Sequence, residues 1–309
     1  MSFGPLVSAG WLRDHLRDPD VRVIDFRWYL AGRAQGALPD RNGREEYIRG
    51  HIPGAMFVDL AAVTGKESAG RAQVSDASTN SGRSLRVRGV EVGPAGVGGR
   101  HPLPAAWQVQ DEMQKAGVDD ATKVVVYDDT GGSIAARLWF LLGWFGHDAQ
   151  AVLDGGFSAW GGPLETGAAS KARGVFRSKV PDRTRILDFE AVRELEGVPL
   201  LDARAGERYR GENEPVDPKA GHIPGALSVP WMENLGPDGR FKTPDELRAR
   251  FTEIGADDGA VVYCGSGITA CHDLLAMEVA GLRNARLYAG SWSDWSHRDA
   301  PVATGKDPG

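Results

Sequence analysis

Short runs of β-branched and apolar residues alternate along this chain with longer stretches in which apolar positions recur every three to four residues. In the second half VPLLDAR, ALSVP, AVVYC and ARLYAG read as strands, while TPDELRARFTEIG and ITACHDLLAMEVAG read as helices. TPDELRARF carries a helix-start signal: Thr243 as N-cap, Pro244 at the first helical position and Glu246 three residues after the cap. Alternation of this kind predicts α/β domains, each a mostly parallel sheet flanked by helices.

The pattern repeats. GHIPGA occurs at Gly50 to Ala55 and again at Gly221 to Ala226, each time after a charged stretch containing Tyr and Arg. VVVYDDTGGSIAARLWFLLGWFG lines up with AVVYCGSGITACHDLLAMEVAG, and VLDGGFSAW lines up with RLYAGSWSDW. The chain is therefore two copies of one domain. His51 and His222 stand 171 positions apart, whereas Tyr127 and Tyr263 stand 136 apart, which leaves 35 extra residues in the first copy. They fall at about 65–99, a Gly-, Ser- and Arg-rich stretch without helical or strand periodicity, expected to be a surface excursion. The expected organisation is a first domain over 1–164, a low-complexity linker over 165–185 and a second domain over 186–309.

Composition limits the function classes. A length of 309 residues with 41% apolar content suits two cores, and a net charge of −6 does not suggest a nucleic-acid or anionic-membrane partner. Two cysteines make no disulfide framework, and the N-terminal stretch lacks an apolar signal region, so a reduced cytoplasmic protein is expected. There is no metal cluster, no GxxxxGK and no dinucleotide fingerprint, and hence no cofactor or metal is expected.

The candidate chemistry lies in CGSGITA. Cys264 ends a predicted strand and precedes a predicted helix that begins near Ile268. Gly265 and Gly267 let the backbone curl so that N–H groups point at the sulfur, and the helix start adds its positive end. Both favour thiolate over thiol, as a nucleophile requires. Cys271, inside a predicted helix among Leu and Ala, reads as packing.

The duplicated domain, the paired GHIPGA, the DAR at Asp202 to Arg204 and the CGSGITA loop resemble the tandem-domain rhodaneses, specifically their 3-mercaptopyruvate sulfurtransferase branch. The resemblance covers nearly the whole chain outside the insertion and the C-terminal tail. It implies that Cys264 takes a sulfane sulfur, carries it as a persulfide and passes it to a thiol or cyanide; a small thiol or thioredoxin-like protein is the expected acceptor. It implies a silent first domain, where Asp128 replaces the cysteine. Ser266, His101 and Asp59 match a catalytic serine, histidine and aspartate, although the insertion between Asp59 and His101 either loops out or separates them. Arg208 matches a substrate-carboxylate arginine, with the loop residues Gly265, Gly267, Ile268 and Thr269 around the substrate. The second family arginine, shortly before GHIPG, is absent from ENEPVDPKAGHIPG, where Lys219 is the available point charge. Arg204 reads as a structural ion-pair partner, and Trp292 and Trp295 as core residues.

Three other readings compete. Thiosulfate is the alternative donor. A cysteine phosphatase of this fold type requires an arginine six residues after the cysteine, and that position holds Ala270. A non-catalytic binding module describes the Asp128 half but leaves Cys264 unexplained.

Overall fold

A computed structural model describes residues 3–30, 41–65, 99–257 and 259–309. Two five-stranded parallel sheets follow one another along the chain. The first comprises β1 (Leu6–Val7), β2 (Val21–Asp25), β3 (Met56–Phe57), β4 (Lys123–Tyr127) and β5 (Gln150–Leu153), in the order β1-β5-β4-β2-β3. The second comprises β6 (Ile186–Leu187), β7 (Leu200–Asp202), β8 (Ala226–Ser228), β9 (Val261–Tyr263) and β10 (Arg286–Tyr288), in the order β6-β10-β9-β7-β8. Strand for strand the two orders are the same, which is the sequence repeat expressed as topology. The helices are α1 (Ala9–His15), α2 (Gly43–Arg49), α3 (Ala106–Lys115), α4 (Ala135–Trp144) and α5 (Gly156–Trp160) in the first copy. The second adds α6 (Phe189–Arg193), α7 (Gly206–Tyr209), α8 (Pro244–Glu253), α9 (Ala270–Val279) and α10 (Ser291–Trp295).

The central strands β4 and β9 are buried on both faces, so they read as unbroken apolar runs rather than alternating ones. Successive residues nonetheless serve different cores. Val124 and Val126 face one core and Val125 and Tyr127 another. The inner core of the first domain continues into that of the second, from Ile24 and Leu138 to Val262 and Leu275. The helices α4 and α9, each buried nearly all round, pack against one another at this junction.

GHIPGA is a structural staple. The carbonyls of Gly50 and Gly221 accept from Arg27 at 2.8 Å and Arg204 at 2.6 Å, whose guanidinium groups also pair with Asp25 and Asp202. The His51 and His222 rings stack on Tyr47 and Tyr209 and bond the carbonyls of those tyrosines. Arg204 is thus the structural partner expected of it, while Trp292 and Trp295 are core residues.

The insertion lies, apart from its ends, outside the described residues. Those ends meet: the Gly65 N–H donates to the Pro102 carbonyl at 2.9 Å, and the Gln108 side chain donates to the Thr64 carbonyl at 3.0 Å. The chain thus leaves and rejoins the fold at one point. The expected linker is held along the first domain, where His51 and Glu165 form an antiparallel bridge and Arg173 and Arg177 pair with Asp111 and Asp120. His222 and Ala303 form the equivalent bridge in the second copy, so both copies end on the same feature.

Candidate active site

Cys264 follows β9 directly and is 1% exposed. The Gly267 N–H points at its Sγ, 3.1 Å away. Gly267 has φ +78°, and a Cβ there would lie 2.6 Å from the Ala289 carbonyl oxygen, so only glycine fits this turn. The left-handed residue delays the helix, and α9 starts at Ala270 rather than near Ile268. Among the described residues one N–H reaches the sulfur, fewer than the several expected of the loop.

The first copy shows what the full cradle holds. The Asp128 carboxylate accepts from the N–H groups of Thr130, Gly132, Ile134 and Ala135, at 2.8 to 2.9 Å. Burial pushes this carboxyl up, and the four N–H bonds pull against that rise. The loop of the first domain is thus filled by its own side chain.

Ser291, which reasoning from the sequence missed, holds the backbone of Cys264. Its Oγ accepts from the Cys264 N–H at 3.1 Å and donates to the Tyr288 carbonyl at 2.9 Å. It has φ 53°, the one positive value at a described non-glycine residue, and its counterpart in the first copy is Gly156, φ +57°. A left-handed serine costs about 1–2 kcal/mol relative to a right-handed one. The strain lies where it fixes the backbone of Cys264. The exchange of Gly for Ser between GGFSAW and GSWSDW was the available signal.

His101 and Ser266 meet across the domain junction, with His101 Nδ1 2.8 Å from Ser266 Oγ. Burial, and then the charges of Arg137 and Arg100, push His101 down to about 4, so the ring is neutral at pH 7. Its edge rests on Trp28. Asp59 does not join this pair. It is exposed and caps the short 3-10 turn Leu60–Val63, its carboxylate accepting from the Ala61 N–H at 2.9 Å, and no hydrogen bond among the described residues links it to His101.

Arg208, expected to hold the substrate carboxylate, lies beside Gly265 together with Arg100. A Cβ at Gly265 would lie 3.2 Å from Arg208 Nη1 and 3.4 Å from Arg100 Nη2. Arg100 pairs with Asp217, which also accepts from Arg208 at 3.3 Å, and Glu214 holds Arg208 at 2.7 Å. The second guanidinium therefore comes from the first domain, in GRHPLP. Lys219 does not take that place: its ammonium donates to the Arg298 carbonyl at 2.6 Å. Ile268 and Thr269 lead into α9, Ile268 being buried. Cys271 is fully buried, donates to the Gly267 carbonyl at 3.4 Å, and burial pushes its thiol up to about 11. Among the described residues no cluster of His, Cys, Asp and Glu is suited to a metal ion, and no helix is long and apolar enough to cross a membrane.

The Cys264 thiol, the Ser266–His101 pair and the guanidinium groups of Arg208 and Arg100 thus gather around one loop. The chain matches the rhodanese-like domain family over residues 8–162 and 188–298. It is 41% identical over 316 residues to the probable 3-mercaptopyruvate sulfurtransferase of Pseudomonas aeruginosa, covering 99% of this chain and 100% of that one. It is 32% identical to the thiosulfate sulfurtransferase of Bos taurus, covering 97% and 96%. The crystal structure of the 3-mercaptopyruvate sulfotransferase SseA from Escherichia coli superposes with a TM-score of 0.73 at 32% identity, over 94% of this chain and 99% of that one. Topology, repeat and sequence agree that this chain belongs to the rhodanese family, in its tandem-domain form.

Proposed function

We propose that this sulfurtransferase takes its sulfur from 3-mercaptopyruvate, with Cys264 as nucleophile and sulfur carrier. The observation that carries the reading is the His101–Ser266 bond of 2.8 Å beside the Cys264 loop. The Cys264 thiolate attacks the donor sulfur. A sulfur–sulfur bond forms, the carbon–sulfur bond breaks, and its electron pair passes into the enolate of pyruvate. The thiol proton of the donor goes to the enolate carbon, which leaves pyruvate and a Cys264 persulfide anion. Neutral His101 donates from Nδ1 to Ser266 Oγ, freeing the serine proton for the enolate oxygen as negative charge develops there. Arg208 and Arg100 hold the carboxylate, a task suited to their fixed forks. A thiol or cyanide then takes the outer sulfur and restores the thiolate. Asp59 acts in this scheme only through the backbone it caps, and the first domain, its loop filled by Asp128, supplies His101 and Arg100 rather than a second nucleophile.

Thiosulfate is the second reading, and the arginine pair is what favours it. Attack on its outer sulfur expels sulfite, a stable dianion that two guanidinium groups suit and that needs no proton. Steady-state rates with both donors on one preparation, each with cyanide and with a reduced dithiol, separate the two. The expected kcat/KM favours 3-mercaptopyruvate by at least about tenfold, roughly 1.4 kcal/mol. Ser266→Ala is expected to lower the mercaptopyruvate rate about a hundredfold, as loss of an oxyanion donor does, and the thiosulfate rate much less. Equal efficiency with both donors, or equal loss of both in Ser266→Ala, makes this a thiosulfate or dual-donor enzyme.

A further inference from the structure

We propose that Arg137 of α4 is the positioning residue of the Cys264 loop and the buried counter-cation of the sulfur anion formed there; this rests on the persulfide reading above. Arg137 is the one charged residue of α4 and is 0% exposed. Its Nη1 donates to the Gly267 carbonyl at 2.9 Å and its Nη2 to the His101 carbonyl at 3.3 Å. Its Nε has no partner and no carboxylate pairs with it among the described residues, while its guanidinium also bonds the Cys271 thiol and draws it down against burial, so Arg137 reaches Cys264 only through Gly267. An unpaired buried guanidinium costs several kcal/mol, so such a group is retained where an anion comes to meet it. Gly267 joins the two charges: its carbonyl takes Arg137 and its N–H points at Cys264 Sγ.

The mirror contact in the fold sharpens the point. Gly131 in the first copy is the counterpart of Gly267, and its carbonyl accepts from His272 Nε2 of α9 at 3.0 Å. Each domain thus supports the other's loop at the same position, one with a cation and one with a neutral ring. The difference follows the anions. The Asp128 carboxylate has four N–H donors of its own, whereas Cys264 Sγ has one among the described residues. The loop with the poorer cradle receives the guanidinium. By holding the His101 carbonyl as well, Arg137 fixes the histidine against Ser266.

The test is iodoacetamide alkylation of Cys264 against pH in the wild type, Arg137→Met and Arg137→Lys. The other groups around the Cys264 loop are Arg208 and Arg100 with Glu214 and Asp217 behind them, the Ser266–His101 pair, Cys271 of α9 and the Ser291 hydroxyl of α10. His101, held at about 4, and Cys271, at about 11, stay neutral between them. A profile from about pH 5 to pH 9 therefore reports Cys264. Arg137→Met is expected to move that profile up by about one pH unit and to slow alkylation at pH 6 roughly tenfold, as loss of a nearby opposite charge does. Arg137→Lys is expected to keep the wild-type profile but lose turnover about tenfold or more, because an ammonium lacks the fork that spans two carbonyls. An unchanged profile in folded Arg137→Met overturns the proposal, as does an Arg137→Lys profile displaced as far as that of Arg137→Met, or a wild-type Cys264 that resists alkylation throughout. Should Arg137→Met not fold, Arg137→Lys decides alone: retained profile with lost turnover supports the proposal, and any other pairing overturns it. Alkylation uses no sulfur donor, so its outcome stands whichever donor the enzyme prefers.

Discussion

At the scale of single residues, two guanidinium groups share Asp217 beside Gly265, and the proposed reading seats the donor carboxylate on them. Arg100→Gln removes one charge-assisted partner of the substrate carboxylate and is expected to raise KM for 3-mercaptopyruvate about tenfold, close to 1.4 kcal/mol, with a smaller fall in kcat. Lys219→Gln is expected to leave both constants within about twofold of wild type, like other surface substitutions, because its ammonium is committed to the Arg298 carbonyl. A KM that follows Lys219 instead of Arg100 places the carboxylate elsewhere. The contrast also shows what a sequence conceals. Cys264, Ser266 and Arg208 sit in local patterns of one domain, so their neighbourhood is legible from residue order. Arg100 is not, because a search before GHIPG looks only in the second domain, whereas this guanidinium reaches Gly265 from the first. Asp59 fails in the opposite sense: a residue type placed by resemblance turns out to cap the turn that follows it, a local role that its own backbone neighbours decide.

At the scale of elements, sequence and structure agree wherever the controlling forces are local. Thr243 caps α8 in a reciprocal box with Glu246, as its residue pattern predicts. The start of α9 is displaced because the left-handed turn at Gly267 answers to the sulfur and to Ala289, which lies far along the chain. The insertion is the clearest case of an element defined by its ends. Gly65 and Pro102 are bonded at its base, so closure does not depend on what lies between them. Trimming Glu67 to Gly96 to a short Gly-rich bridge is expected to leave kcat/KM within about threefold, since loop-closure entropy varies only slowly with length. A hundredfold loss in a folded variant, read by the same steady-state assay, places part of that segment at the substrate.

At the scale of the whole molecule, the domain junction carries a polar cluster whose two titrating members oppose one another. Asn234 donates to His272 Nδ1 at 3.2 Å and to the Asp273 carboxylate, while Arg250 donates to its side-chain oxygen. His272, packed between Trp231 and Phe241, completes the cluster by donating to the Gly131 carbonyl of the first domain. That pattern requires a neutral ring. Burial pushes His272 down to about 3 and Asp273 up to about 7. The signs then differ. Below about 6.5 the unfolded chain protonates its histidine and the folded one does not, so the His272 contribution to stability is lost as pH falls toward 3. Below about 7 the folded chain protonates Asp273 while the unfolded chain waits until about 3.8, so that contribution grows as pH falls. Between pH 7 and pH 5 each amounts to roughly 2 kcal/mol, and in the wild type they oppose one another. Removing one member exposes the other. Asp273→Asn is expected to lose about 2 kcal/mol more than wild type on acidification to pH 5, and His272→Gln to gain by a similar amount, in urea unfolding at the two pH values. His101 titrates alike in all three proteins and drops out of the comparison. Parallel pH dependence in wild type and both variants means that folding does not displace the titrations of His272 and Asp273 in opposite directions.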